Sequence, residues 1–400
     1  MLKKARLVVL IAFLAMFTPL SMDMYLPALP SMINYFDTDQ ITMNSTLYIF
    51  FFLMAIGMLA FCPLSDKFGR KKILIPSAFA YCFTSLACAF STTIFALIFF
   101  RALQALCVGS LVGLSTALIK DAFEGNQRST MLGISQAMSL IAPVVAPLIG
   151  AYVLTFFSWQ ANFVILAGLG AVSCVLILTQ EETLPETNRL NSSVFGAWLH
   201  LGNVIKDRSF TFYLLATSIA PMGFMAYVAS SSYIYQNQFS LSEMQFGSFY
   251  AICAAVTVLA SLTYIKTSTI FKMKPLTQFN MLMILISGIL ILTVGNRGPI
   301  AFLLSFLPLA FFSTSLRPLS ISVLLSQRPQ DAGAASSLLN FTQTIMCFLG
   351  LVLGSFPWAN LVKSLGLIIV SSSIFALGIW IIILQSKKIR LFAFDEVDKD

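Results

Sequence analysis

Charge is scarce in this chain: of 400 residues only 10% are Asp, Glu, Lys or Arg, and there is one histidine, His200, in a polar stretch. Neither a zinc site nor a His-dependent catalytic group therefore has material to work with. The seven cysteines, at 62, 82, 88, 107, 174, 253 and 347, are odd in number and fall in or beside apolar runs. They read as small hydrophobes and not as disulfides or metal ligands, so no metal and no cofactor is expected. A membrane-embedded enzyme would need clustered nucleophiles, metal ligands or several acids inside its apolar runs. None can be seen, and an enzyme is not expected. A sensor that binds without transporting is the other class to separate, by the absence of flux driven by a pH gradient.

Apolar residues fill the space that charge leaves. They make up 58% of the chain, Phe alone occurs 37 times, and mean hydropathy is +0.88. Runs long enough to cross a bilayer as helices, at about 20 residues each, fall near 7–32, 43–64, 73–92, 94–118, 130–155, 160–179, 210–235, 245–265, 275–294, 299–324, 333–357 and 365–385. The expected fold class is all-α integral membrane, with twelve transmembrane helices. An even number places both termini on one side, and basic residues mark the cytoplasmic side. Twenty of the 24 bases fall on the side of the termini, Arg297 and Lys363 on the other, and Arg101 and Arg317 inside spans. The formal charge of +8 is thus explained by orientation, and no nucleic-acid partner is expected. Lys3, Lys4 and Arg6 before the first span imitate a secretory signal, but no small-x-small cleavage site follows the run, which reads as a retained span.

The longest polar segment between spans is 181–209, with six spans on each side of it. The expected organisation is a six-helix bundle over 1–180, a cytoplasmic linker over 181–209, a second bundle over 210–386 and a cytoplasmic tail over 387–400. Ser129, Leu132 and Gln136 recur as Ser336, Leu339 and Gln343, each set opening the fifth span of its half. Internal repeats of this kind characterise secondary transporters, whose halves rock about a site near the bilayer midplane.

The stretch SMDMYLPALP, residues 21–30, puts Asp23 into the far end of the first span, the one acid of 16 that falls inside an apolar run. At 1.5 Å per residue it lies roughly 24 Å in from the cytoplasmic end. Span 4 carries FFRALQALCVG, with Arg101 and Gln104 one turn apart on the same face. It runs the opposite way and brings Arg101 to within about a turn of the same depth. Ionisable groups inside spans are functional-site candidates by default, and these two are expected to meet. A carboxylate that alternates between a paired and a desolvated state carries a proton. One that stays paired is a static structural ion pair. Arg317, near the cytoplasmic end of span 10, reads as a snorkelling residue. Tyr25, Gln104, Met138, Tyr227 and Asn340 are candidates to line a substrate cavity.

Two further stretches carry mechanism. CPLSDKFGRKKIL, between spans 2 and 3, packs Asp66, Lys67, Gly69, Arg70, Lys71 and Lys72 into a short turn. Asp66, at a helix C-terminus, opposes the local dipole and should seek a helix N-terminus elsewhere; the start of span 11 near Asp331 is the available candidate, and contact there would latch the cytoplasmic side. IAPVVAPLIG in span 5 sets Pro143, Pro147 and Gly150 along one face. Proline inside a helix removes backbone hydrogen bonds and bends it.

These strings together resemble the major facilitator superfamily. The turn around Asp66, Gly69, Arg70 and Lys71 is similar to its signature loop Gly-x-x-x-Asp-Arg/Lys-x-Gly-Arg-Arg/Lys, with Cys62 where the first Gly is expected. FFRALQALCVG resembles the fourth-helix Arg-x-x-Gln-Gly pattern, with Ala105 in place of the Gly. IAPVVAPLIG resembles the antiporter motif of the exporting branches. DMYLPALP, Trp159 and ETLP at 182–185 look like the bicyclomycin/chloramphenicol-resistance subfamily of drug:proton antiporters. Some related transporters carry a second acid two turns earlier in helix 1, where Ala15 stands here.

The resemblance implies a monomeric transporter of a bacterial inner membrane, with both termini cytoplasmic, surrounded by lipid and built from two six-helix pseudo-repeats. It would export small amphipathic compounds in exchange for protons, with Asp23 and Arg101 coupling the proton. The competing expectations are an exporter dedicated to one metabolite or siderophore, and a proton-coupled uptake symporter of the same fold.

Overall fold

The computed structural model describes residues 2–185, 205–327, 332–386 and 391. Among them are twelve helices long and apolar enough to cross a membrane: α1 Arg6–Phe36, α2 Gln40–Phe68, α3 Arg70–Ala89, α4 Ile94–Ala122, α5 Gly125–Leu154, α6 Gln160–Leu178, α7 Arg208–Gln238, α8 Glu243–Ser268, α9 Met273–Arg297, α10 Pro299–Leu324, α11 Leu338–Ser355 and α12 Leu361–Gln385. No strand occurs among the described residues. Many large apolar side chains stay exposed on these helices, including Phe79 at 68%, Phe95 at 77% and Phe375 at 62%. In a chain of this length and hydropathy such faces are lipid-facing surface, because water would penalise contiguous apolar exposure. The chain is an all-helical, multi-pass membrane protein.

The ends of the helices follow from their capping residues. Asp39 caps α2 by accepting from the Thr42 amide at 3.1 Å, and hydrogen bonds from Thr42 hold its carboxyl below the usual carboxylate range. Thr93, Asp207 and Asn360 cap α4, α7 and α12 in the same way. Two spans are interrupted. In α1 a helix over Phe17–Asp23 gives way to a 3₁₀ turn over Leu26–Ala28 and resumes over Leu29–Phe36. Pro27 has no N–H to return to the carbonyl of Asp23, so the regular helix ends at the acid. In α7, Pro221 separates Arg208–Ile219 from Met222–Tyr233, and a π-helical turn over Ile234–Gln238 closes the span. The bend expected from Pro143 and Pro147 does not break α5, which is assigned as continuous helix from Gly125 to Leu154.

The chain forms two compact units, one of Met1–Ser192 with Ser240–Ala254 and one of Ser193–Phe239 with Ala255–Asp400. This differs from a division at the linker alone, because the first turns of α8 belong to the first unit. The cause is close packing: a Cβ on Gly247 of α8 would stand 3.0 Å from both the Pro147 carbonyl and the Ala151 methyl of α5. Within the first unit, Gly57 of α2 and Gly109 of α4 let those two backbones touch, at Leu106 and Met54 respectively. Within the second, Gly350 and Gly354 of α11 lie directly on the carbonyls of Met222 and Ala226 in α7. Small residues at such crossings let backbones approach and supply the packing that lipid does not provide. The expected linker and tail lie largely in 186–204 and 387–400, and these, with His200 and Asp331, fall outside the described residues apart from Leu391.

Candidate functional site

Asp23 ends the helix Phe17–Asp23 and is 7% exposed. The expected ion pair with Arg101 does not form: no cation lies within ion-pairing distance of Asp23 among the described residues. Its carboxylate instead accepts a hydrogen bond from the Tyr250 hydroxyl of α8 at 3.2 Å. Tyr250 is itself buried at 5% exposure, with its ring 5.8 Å from that of Phe246. Asp23 is thus a desolvated acid held by a neutral donor.

Arg101 is fully buried and serves the backbone. One guanidinium nitrogen, Nη1, donates to the carbonyl of Ser21 at 3.1 Å and to Gln104 Oε1 at 2.7 Å. The plane is boxed by Phe50, Tyr25 and Phe163, whose ring centres lie 4.2, 4.5 and 5.8 Å from its central carbon. Aromatic faces stabilise a cation by about 0.5–1 kcal/mol at exposed sites and by about 2 kcal/mol when desolvated. Nε and Nη2 have no hydrogen-bond partner among the described residues. The Ser21 carbonyl lies in the last turn before the α1 break, where helical acceptors are left without helical donors. Arg101 therefore caps the break that carries Asp23 and does not neutralise the acid.

The same-face placement of Arg101 and Gln104 is realised, and it extends into a network. Gln104 Nε2 donates to Ser85 Oγ at 2.7 Å, while Ser21 Oγ and the Tyr81 hydroxyl share a hydrogen bond of 2.7 Å. The antiporter-like helix closes the corner from the other side. Gly150 lies directly on the Met24 carbonyl, and Pro147 and Ala151 lie on Gly247. Asp23, the α1 break, the α5 motif and Tyr250 thus make one packed corner within the first unit.

The other predicted residues sort differently. Tyr25, Gln104 and Tyr227 are fully buried, so they do not line an open cavity. Tyr25 is bonded to Thr46 at 3.0 Å beneath the Arg101 box, and Tyr227 stacks on Phe306 at 3.8 Å. Packing has claimed their rings. Met138 is partly exposed and Asn340 exposed. Arg317 is exposed. In the loop after α2, Gly69 takes φ +105°, a conformation that L side chains rarely adopt. Arg70 pairs across Gly69 with Asp66 at the end of α2 and donates from Nε to Asp121 of α4 at 2.8 Å. Lys71 reaches the carbonyls of Leu178 and Gln180 at 3.0 and 2.8 Å. Cys62, where a glycine was expected, packs against Gly113 of α4. No group of three or more metal-ligating side chains occurs among the described residues.

Sequence reasoning missed Tyr250 as a partner of the acid. The one signal available was Gly247 a turn earlier on the same helix, a position where α8 can approach another backbone.

Comparison with known proteins decides the family. The model of the Major Facilitator Superfamily matches residues 11–351. This chain belongs to that superfamily. A Bacillus subtilis (strain 168) protein described as the uncharacterized MFS-type transporter YdgK is 29% identical over 349 residues, covering 86% of this chain and 87% of its own. The bicyclomycin resistance protein homolog of Haemophilus influenzae is 27% identical, covering 93% and 92%. The chloramphenicol resistance protein of Pseudomonas aeruginosa is 30% identical over 256 residues, covering 64% and 60%. Among solved structures, a mutant of the nucleoside transporter NupG superposes with a TM-score of 0.77 at 14% identity, covering 94% of this chain and 99% of that one. The D-xylose-proton symporter gives 0.73 at 14%, covering 94% and 97%. This superfamily chain is a membrane transporter of small molecules and not an enzyme.

Proposed function

We propose that this transporter exports small amphipathic compounds, drugs and antibiotics among them, in exchange for protons, and that Asp23 is the proton site. The carrying observation is the place of that acid: buried inside a span, with no cation within ion-pairing distance among the described residues, and accepting from a neutral hydroxyl. A carboxylate so placed can lose its hydration and take a proton when the site closes, and release it when water returns. Relatives described as bicyclomycin, chloramphenicol and multidrug resistance proteins support export as the direction.

The rest of the reading follows from this. The chain acts as a monomer in the bacterial inner membrane, with both termini cytoplasmic, as the basic loops favour. Two six-helix halves, 1–180 and 210–386, joined by 181–209 and followed by the tail 387–400, alternate access. Met138 and Asn340 face the substrate path, and Asp66, Gly69, Arg70 and Lys71 form the cytoplasmic gate. Pro143, Pro147 and Gly150 hold the corner at Asp23. With one proton per cycle, 100 mV and one pH unit supply about 2.3 and 1.4 kcal/mol for a neutral compound, a gradient of roughly several hundredfold. A monovalent cation keeps only the pH term.

The test is ligand-induced proton release by purified protein near neutral pH, with tetraphenylphosphonium and chloramphenicol as probes. The wild type should release protons and Asp23→Asn should bind without release. Equal release from both proteins would make Asp23 structural. Binding without release in the wild type would shift the reading to symport or sensing.

A further inference from the structure

The helix α3 begins at Arg70 directly after Gly69, and a glycine has no side chain with which to cap it. The first amides of a helix have no partner within it, yet those of Arg70 and Lys71 are both bonded. They donate to the two carboxylate oxygens of Glu182, at 2.9 and 3.1 Å, from a residue 112 positions from Arg70. The same carboxylate accepts from the amides of Thr183 and Leu184 at 3.0 and 3.2 Å. An anion on a helix N-terminus is the favourable sign for the helix dipole. The complementary contact lies beside it: the Lys71 ammonium sits on the carbonyls of Leu178 and Gln180 at the C-terminal end of α6, again the favourable sign. The antiparallel neighbours α3 and α6 cap one another reciprocally, each with a charged side chain lent by the other's chain segment.

We propose that Glu182 is a positioning residue of the gate loop, supplying the cap that Gly69 cannot. It fixes the backbone of Arg70, and with it the guanidinium that bridges Asp66 and Asp121. Because Glu182 lies where the chain leaves α6 for the connector between the halves, the same carboxylate ties the start of the connector to the gate. A movement at one is felt at the other. The gating consequence rests on the export reading above, whereas the capping does not.

The test uses full-length protein in proteoliposomes, comparing wild type with Glu182→Ala, Glu182→Gln, Asp121→Asn and the double variant Glu182→Ala/Asp121→Asn. Hydrogen exchange of a peptide covering residues 68–74 should quicken at least tenfold in Glu182→Ala. It should quicken less in Glu182→Gln, whose remaining carbonyl can still accept from Arg70. The maximum rate of pH-gradient-driven tetraphenylphosphonium or chloramphenicol flux should fall about tenfold in Glu182→Ala at unchanged half-saturation, with most of it recovered in Glu182→Gln. In the Asp121→Asn background the added loss should stay under twofold, because one of the two carboxylates that the positioned guanidinium bridges has already lost its charge. Unchanged exchange in Glu182→Ala overturns the cap. Quickened exchange with undiminished flux, or a full additional loss on Asp121→Asn, overturns the positioning role. If the wild type moves neither probe, the export reading fails, and the exchange comparison still decides the cap.

Discussion

Three glycines in the first unit form a graded test of whether the corner at Asp23 is as tightly built as its geometry shows. A methyl group on Gly150 would fall on the Met24 carbonyl oxygen, well inside contact distance. That oxygen is backbone and cannot turn aside, so α5 and the α1 break must separate. Overpacking of this kind costs about 1–3 kcal/mol. For a unit of this size each kcal/mol is worth about 2–4 °C in melting temperature. Gly150→Ala should therefore lower the melting temperature of the detergent-solubilised protein by about 2–12 °C. Gly247→Ala would place its methyl 3.0 Å from the Ala151 methyl and the Pro147 carbonyl. A few tenths of an ångström relieve that contact, and the loss should fall at the small end of the range. Gly168→Ala, with nothing within 4 Å, should be neutral or stabilising by up to about 1 kcal/mol through helix propensity. Proton release on probe binding should follow the same order, because Met24 is the residue after Asp23. Thermal melts read by intrinsic fluorescence, together with a pH-electrode assay of release, give both series. Equal melting temperatures for Gly150→Ala and Gly168→Ala would refute the close approach, and with it the idea that the α5 motif sets the position of the acid.

Tyr250→Phe removes the donor to Asp23 while keeping the ring against Phe246. A buried carboxyl that loses a hydrogen-bond donor forfeits about 1–3 kcal/mol, so the melting temperature should fall by about 2–12 °C. An unmoved melting temperature would show that Tyr250 is only a packing residue. Asn162 of α6 is fully buried, with neither amide atom hydrogen-bonded among the described residues. Replacing an unsatisfied polar group by an apolar one of similar shape removes a penalty of about 1–3 kcal/mol. Asn162→Leu should hold or raise the melting temperature, and a clear fall would reveal a bridging water that the amide needs.

The features legible in the sequence were those whose geometry is local or imposed by the bilayer. Twelve spans follow from run length, and Arg101 with Gln104 from one helical turn; the structure joins that pair at 2.7 Å. Asp23 announced itself as an acid in an apolar run, and the break beside it follows from Pro27. What could not be read were partners separated by hundreds of residues. Tyr250 is one of 11 tyrosines, and Gly247 beside it marks a close approach of α8 without saying that a hydroxyl is aimed at an acid 227 positions away. The Arg101–Asp23 pairing failed for a physical reason: depth along a span fixes height and leaves the direction of the side chain open. Arg101 turned toward a carbonyl and three rings, and a backbone carbonyl leaves no mark in a sequence. Tyr25, Gln104 and Tyr227 were misread as cavity candidates because the same residue types serve a binding wall and a packed interior.

The corrected role of Arg101 changes how proton coupling would work. Had the two charges been paired, protonating Asp23 would have meant breaking a buried salt bridge, which strands a cation and costs several kcal/mol. In the observed arrangement that step is absent. The guanidinium is already stabilised by rings and by the Ser21 carbonyl, whichever state the acid is in. On the proposed reading, Asp23 gains or loses its proton without breaking an ion pair, and what opposes its ionisation is the desolvation of a buried carboxylate, offset in part by the Tyr250 hydroxyl. Nη1 of Arg101 holds the carbonyl of Ser21, two residues before the acid in the same helix, and not the carboxylate itself. An acid held by one neutral donor is easier to cycle than one locked to a buried cation.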